Sequence, residues 1–102
     1  MALARQRNVR GLNVVGPTGK PIGRVIDTYP HDGGGEIEMI LVNVGDKLPL
    51  RRWLPAPKVR YRNGRLRAPW PEWQIRDAPA AEDNRWGDPP AVAKSYWDAI
   101  DD

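Results

Sequence analysis

Cysteine is absent from the 102 residues, which excludes disulfides, thiolate metal sites and cysteine nucleophiles. Phenylalanine is absent as well, and histidine occurs once, as His31. The few hydroxyl side chains, Thr18 and Ser95 among them, have no histidine neighbour in the sequence, so no nucleophile–base pair is visible. Long apolar runs are missing too. Residues 39–42 form a run of four, far short of a membrane span. Residues 1–10 are polar and basic and have no apolar core of the secretory kind, so the expected address is the cytoplasm. What the chain has in excess is backbone punctuation. Gly (10) and Pro (11) break long helices and favour short strands joined by tight turns.

Charge is unevenly placed. The formal net charge is +3, but residues 51–76 hold eight basic groups against the single acid Glu72. Residues 77–102 hold seven acids against two bases. All but one of the basic groups in 51–76 are arginines, whose planar forks bind carboxylate and phosphate in fixed geometry. The middle of the chain therefore seeks anions. Its own acidic end is one possible source.

Residues 12–15 read as a short strand and residues 16–20 as a turn, with Pro17 and Gly19 at the turn positions. Residues 22–29 read as a strand with Ile22, Ile26 and Thr28 on one face and Val25 and Tyr29 on the other. Residues 36–44 form the most apolar strand. Their lack of alternation predicts cover on both faces. A strand over 51–54 is stopped by Pro55 and Pro57. The clearest local signal is Asn63-Gly64 between two alternating runs, the preferred two-residue hairpin turn. It sets Arg62 against Arg65, Tyr61 against Leu66, Arg60 against Arg67 and Val59 against Ala68. Val59, Tyr61, Leu66 and Ala68 form an apolar side. Four arginines form the other, in two opposed like-charged pairs that cost several tenths of a kcal/mol each. Residues 70–75 allow one helical turn at most between the prolines. Asp88-Pro89 opens a helix of about three turns, with Asp as N-cap and an apolar stripe of Val92, Tyr96 and Ile100 beside Ala93 and Trp97.

Four pieces of the chain, in order, resemble a PRC-barrel domain. They are GKPIGRVID (19–27), which is similar to the family's opening G-x-x-I-G-x-V-x-D; the strand ILVNV (40–44); RWLPAPKV (52–59); and RLR (65–67) followed by QIRDAP (74–79). Lys94-Ser95-Tyr96-Trp97 is similar to the aromatic end of photosynthetic reaction-centre H subunits. The likeness spans about residues 11–97. It implies a mainly all-β fold, a small barrel of about five to six antiparallel strands with a short C-terminal helix. The implied organisation is a flexible arm over 1–10, the barrel over 11–79, and over 80–102 a linker and amphipathic helix that packs on the barrel or a neighbouring subunit. The family also includes the C-terminal domain of a ribosome-maturation factor, and its members act as docking modules. Gly23 and Asp27 match family positions one for one, and their implied role is structural. Where H subunits carry a strand Glu near a quinone, this chain has Leu41, so proton delivery is not implied. No transmembrane anchor is expected.

Other sites weigh less. His31 and Asp32 sit in a Gly-rich loop without a second histidine to complete a metal site. Asp27, Asp32, Glu36 and Glu38 could meet a hard cation, but solvation or pairing with arginine is the simpler expectation. Gly33-Gly34-Gly35 lacks the Lys-Ser/Thr of a phosphate loop. The arginine face leaves three readings open: pairing with the acidic tail or solvent, an acidic protein surface including a second copy, or nucleic acid with Trp53, Trp70 or Trp73 as stacking platforms. Trp53 and Trp97 are expected in the core, and Trp70 at the surface. The candidate partner-binding residues are Arg51, Arg52, Arg60, Arg62, Arg65, Arg67, Trp70 and Trp73. The expected function is a non-catalytic adaptor working by protein–protein contact, self-associating through an open sheet edge, with no cofactor or metal. The alternative is an accessory factor that binds RNA or the ribosome through the basic hairpin.

Overall fold

A computed structural model describes residues 9–29, 37–45, 50–79, 89 and 91–101. His31, Asp32, Gly33 to Gly35, Glu36 and the Asp88 cap lie outside the described residues. Six strands, β1 (Asn13–Val15), β2 (Pro21–Tyr29), β3 (Met39–Val44), β4 (Leu50–Pro55), β5 (Arg60–Arg62) and β6 (Arg65–Arg67), form one sheet in the order β4-β3-β2-β1-β6-β5. Helix α1 (Glu72–Asp77) and helix α2 (Ala91–Asp101) follow. The class is all-β with a short C-terminal helix. One strand pair departs from the antiparallel expectation: β1 and β6 run parallel, with Val14 beside Leu66 and Val15 beside Arg67. The chain leaves β1 through the β2–β3–β4 meander and returns by the hairpin, whose second arm then points the way β1 does.

β2 bends where it carries one residue too many. The register skips Ile22 against β1 and Ile26 against β3. Such bulges break alternation and sharpen twist. The expected shared face of Ile22, Ile26 and Thr28 is therefore lost: Ile22 is buried, whereas Ile26 is 40% exposed. Opposite this bend, Gly23 lies against Asn43. A Cβ at Gly23 would sit 2.1 Å from the Asn43 carbonyl oxygen. Only glycine permits that approach. Asp27 fastens the strand to the chain before β1, accepting from the Thr28 N–H and the Arg10 guanidinium, both at 2.8 Å. Val9 is fully buried, so residues 9 and 10 belong to the packed domain and not to a free arm.

β3 is buried along both faces, as its sequence predicts, with only Asn43 partly exposed. On β4, Pro55 leads into a 3-10 turn over Ala56–Lys58. The segment after the hairpin runs longer than expected. α1 has six residues, held by a 2.6 Å i,i+4 pair between Arg76 and Glu72 and by Arg52, which donates to the Arg76 carbonyl oxygen.

α2 packs on the sheet of its own chain. The Trp97 indole N–H donates to the Trp53 carbonyl oxygen at 2.7 Å, and Tyr96 Oη donates to the Gln74 carbonyl oxygen at 2.8 Å. Trp97 also stacks at a tilt on Trp70, with ring centroids 4.3 Å apart. These contacts turn the helix so that Ala93 and Trp97 are buried while Val92 is 60% exposed. Of the expected Val92–Tyr96–Ile100 stripe, Tyr96 and Ile100 pack half-buried against the core and Val92 alone turns outward, because the Trp97 indole buries more area and finds a partner for its N–H.

Two measurements test this account. Gly23→Ala should destabilise the chain by about 3 kcal/mol in urea unfolding, because two strands must separate to admit the methyl group. Burial, and then Asp77, raise the Tyr96 phenol above its ordinary pKa of 10.0. A group with a raised pKa contributes stability fully below its unfolded value and loses it as pH rises through the folded one. Stability should therefore fall above pH 10.0 as Tyr96 loses its proton. A late tyrosinate step in the ultraviolet titration should disappear in Tyr96→Phe.

Candidate docking surface on the basic hairpin

Asn63 and Gly64 both have positive φ, 52° and 79°, which is the two-residue type I′ turn whose twist matches that of paired strands. Its register is Arg60 with Arg67, Tyr61 with Leu66 and Arg62 with Arg65. Alternation then sorts the side chains. Val59, Leu66 and Ala68 are fully buried and Tyr61 is partly so. Arg60, Arg62, Arg65 and Arg67 are all exposed. Among the described residues no carboxylate pairs with any of them. Arg67 is the one that is tethered, donating to the Pro17 carbonyl oxygen across from β6.

Two shallow basins flank this tether. One, of about 340 Å³, is lined by Pro17, Lys58, Arg60, Arg67, Ala68 and Pro69. The other, of about 250 Å³, is lined by Val15, Gly19, Arg62, Asn63, Arg65 and Arg67. Arg67 belongs to both and forms the wall between them. Among the described residues each basin has three cationic side chains in its lining and neither an acid nor an aromatic ring. A third hollow of about 300 Å³, under α2, has the mixed charges Glu38, Lys94 and Asp98 in its lining.

The other candidate residues lie elsewhere. Arg51 and Arg52 are half-buried on β4, at the opposite end of the strand order from β5. Arg52 donates to the carbonyl oxygens of Arg51 and Arg76. Its pKa is lowered by burial and by the charge of Arg76. It therefore joins β4 to the end of α1 and is not part of the hairpin surface. Asn43, cross-strand neighbour of Arg24 and Arg51, keeps a buried Oδ1 without a partner, for which the surrounding residues offer no explanation. Trp70, expected at the surface, is 5% exposed. The prolines around it turn the chain so that the ring meets Trp97. Trp53 and Trp97 lie in the core as expected. Trp73, on the outer side of α1, is 67% exposed. Among the described residues no group of three or more His, Asp or Glu is gathered to hold a metal ion, and no helix is long and apolar enough to cross a membrane. The tether of Arg67 to Pro17 was not legible in the sequence, because it joins residues 50 positions apart.

The described residues form a bent all-β domain capped by an aromatic-anchored helix and bearing one charged hairpin flank. The sequence model of the PRC-barrel domain matches residues 1–72, and the chain belongs to that family. Domains of this family are in general non-catalytic interaction modules. A search of the curated proteins finds no match to this chain.

The opposed arginines give a direct measurement of the site's cost. Arg65→Glu replaces a like-charged cross-strand pair with an opposite one. It should stabilise the fold by about 0.5 kcal/mol and raise the thermal midpoint by about 3 °C.

Proposed function

We propose that this chain is a non-catalytic PRC-barrel adaptor that works in the cytoplasm by protein–protein contact, docking through the outer flank of its hairpin. The observation that carries this reading is four exposed guanidinium groups on one flank with no carboxylate partner among the described residues. Like charges held in opposed pairs favour any ligand that neutralises them. A planar guanidinium binds a carboxylate through two parallel hydrogen bonds, which fixes orientation as well as charge.

For self-association through a sheet edge, the β4 end of the sheet is the less favourable of the two. The outer edge of β4 is blocked, since the Trp53 and Arg51 carbonyl oxygens already accept from Trp97 and Arg52. Exposed apolar side chains such as Trp73 and Val92 offer contact between copies away from that edge. The RNA reading rests on the same arginines, but stacking of bases needs aromatic faces beside the charge. Among the described residues neither hairpin basin has one in its lining.

A photo-crosslinking side chain in place of Arg65, in cells that make the protein, separates the readings. The expected result is a discrete adduct that survives nuclease and disappears in an Arg60→Glu/Arg62→Glu background. An adduct of twice the chain's mass identifies a second copy as the partner. Adducts that vanish with nuclease replace this reading with the RNA one, and no adduct at all refutes both.

A further inference from the structure

The sheet has two ends, and they are unlike. At β4 the backbone is closed: Pro55 has no N–H, Trp97 occupies the Trp53 carbonyl oxygen, and Arg52 occupies that of Arg51. At β5 the backbone is open. A two-residue type I′ turn is closed by a hydrogen-bonded pair, so Arg62 and Arg65 exchange their bonds, and so do Arg60 and Arg67. Tyr61 is the residue between, and its N–H and C=O point away from β6. β5 ends the strand order, so among the described residues no strand pairs there.

We propose that this edge takes an extended segment of a partner protein by strand addition, and that the segment carries acidic residues at alternate positions with an apolar or neutral residue between them. The proposal rests on the docking reading above and names its ligand. In strand addition, backbone hydrogen bonds supply attachment and alternate side chains supply choice. Tyr61 supplies the donor and acceptor. Arg60 lines one cationic basin and Arg62 the other, with Arg67 between. Their two-residue separation is the repeat of side chains on one face of a strand. Carboxylates two residues apart on an added strand therefore reach one basin each. The residue between them shares the face of Tyr61 and Val59, which is apolar.

The same geometry argues against the nearer occupants. A second copy pairing antiparallel about Tyr61 would set Arg60 against Arg62 of its twin, twice over, so the edge repels itself. The chain's own acidic stretch places Glu82 and Asp83 side by side, and adjacent residues of a strand face opposite ways. Only one of the two can meet the arginines.

The test uses the full chain, isotopically labelled, and a synthetic peptide alternating Glu and Val. The control peptide has the same composition with its Glu residues contiguous. With the alternating peptide, exchange of the Tyr61 amide hydrogen should slow about tenfold or more, the mark of a new backbone bond. Affinity should drop about tenfold in Arg60→Glu/Arg62→Glu, a variant whose new Glu–Arg cross-strand pairs favour the fold. Methylating the peptide nitrogen that faces the Tyr61 carbonyl oxygen should also weaken binding. Equal binding of the two peptides without slowing at Tyr61 overturns the proposal in favour of plain charge attraction. A Tyr61 amide already slow in the free chain overturns it too, because the edge is then occupied. So does a single-stranded RNA that binds these arginines when the alternating peptide does not. Failure here beside a nuclease-resistant adduct at Arg65 removes strand addition alone and leaves protein docking standing.

Discussion

The positive φ angles at Asn63 and Gly64 decide more of this molecule than any other two residues. They reverse the chain in two residues and so lock the parity of both arms. With that parity, Leu66 points inward and reaches Val14, which lets β6 join the sheet beside β1. A slip of one residue would exchange every inside for an outside. Four guanidiniums would then face the core, each without a partner, at a desolvation cost no small domain can bear. The turn, the parallel pairing and the charged flank are therefore one constraint.

The aromatic lock at the other end of the sheet complements it. Trp97 reaches back 44 residues to the Trp53 carbonyl oxygen, and Trp70 fills the space beside it. One bond thereby does two things. It satisfies a buried indole N–H, which would otherwise be a penalty. It also closes the β4 edge against pairing with other chains. With no phenylalanine in the chain, tryptophan takes the roles of core filler and of clasp. The long edge is protected by packing and the short one by charge.

Legibility followed the range of the interactions. The hairpin register was fully readable, because turn chemistry and alternation are local. So was the burial of β3; at Gly23 the resemblance implied a structural role, and the Asn43 carbonyl lying against it supplies the reason. The two bulges in β2 were not, since an extra residue shows itself only against the partner strand. The placing of Trp70 and Val92 failed for a related reason. Proline neighbours and helical spacing say how the backbone turns, but the choice of buried ring depended on Trp97, far along the chain. The same holds for the separation of Arg51 and Arg52 from the other arginines. They are close to the hairpin in sequence, yet they lie at the far end of the strand order.

In the arginine pairs local stability and fold disagree. A hairpin needs cross-strand pairs that attract, and this one has two that repel. Solvent and salt lessen the repulsion but do not favour it over neutral pairs. An intramolecular acid could have been set opposite at no cost to the turn, and among the described residues none is. Charge of one sign on a rigid two-stranded support keeps its geometry whether or not a ligand is present. That is preorganisation: the ordering cost falls on folding, and a binding partner meets guanidiniums already spaced at the repeat of a strand. The repulsion is then also a source of selectivity, because it penalises the chain's own copies and any basic or neutral strand while it rewards an acidic one.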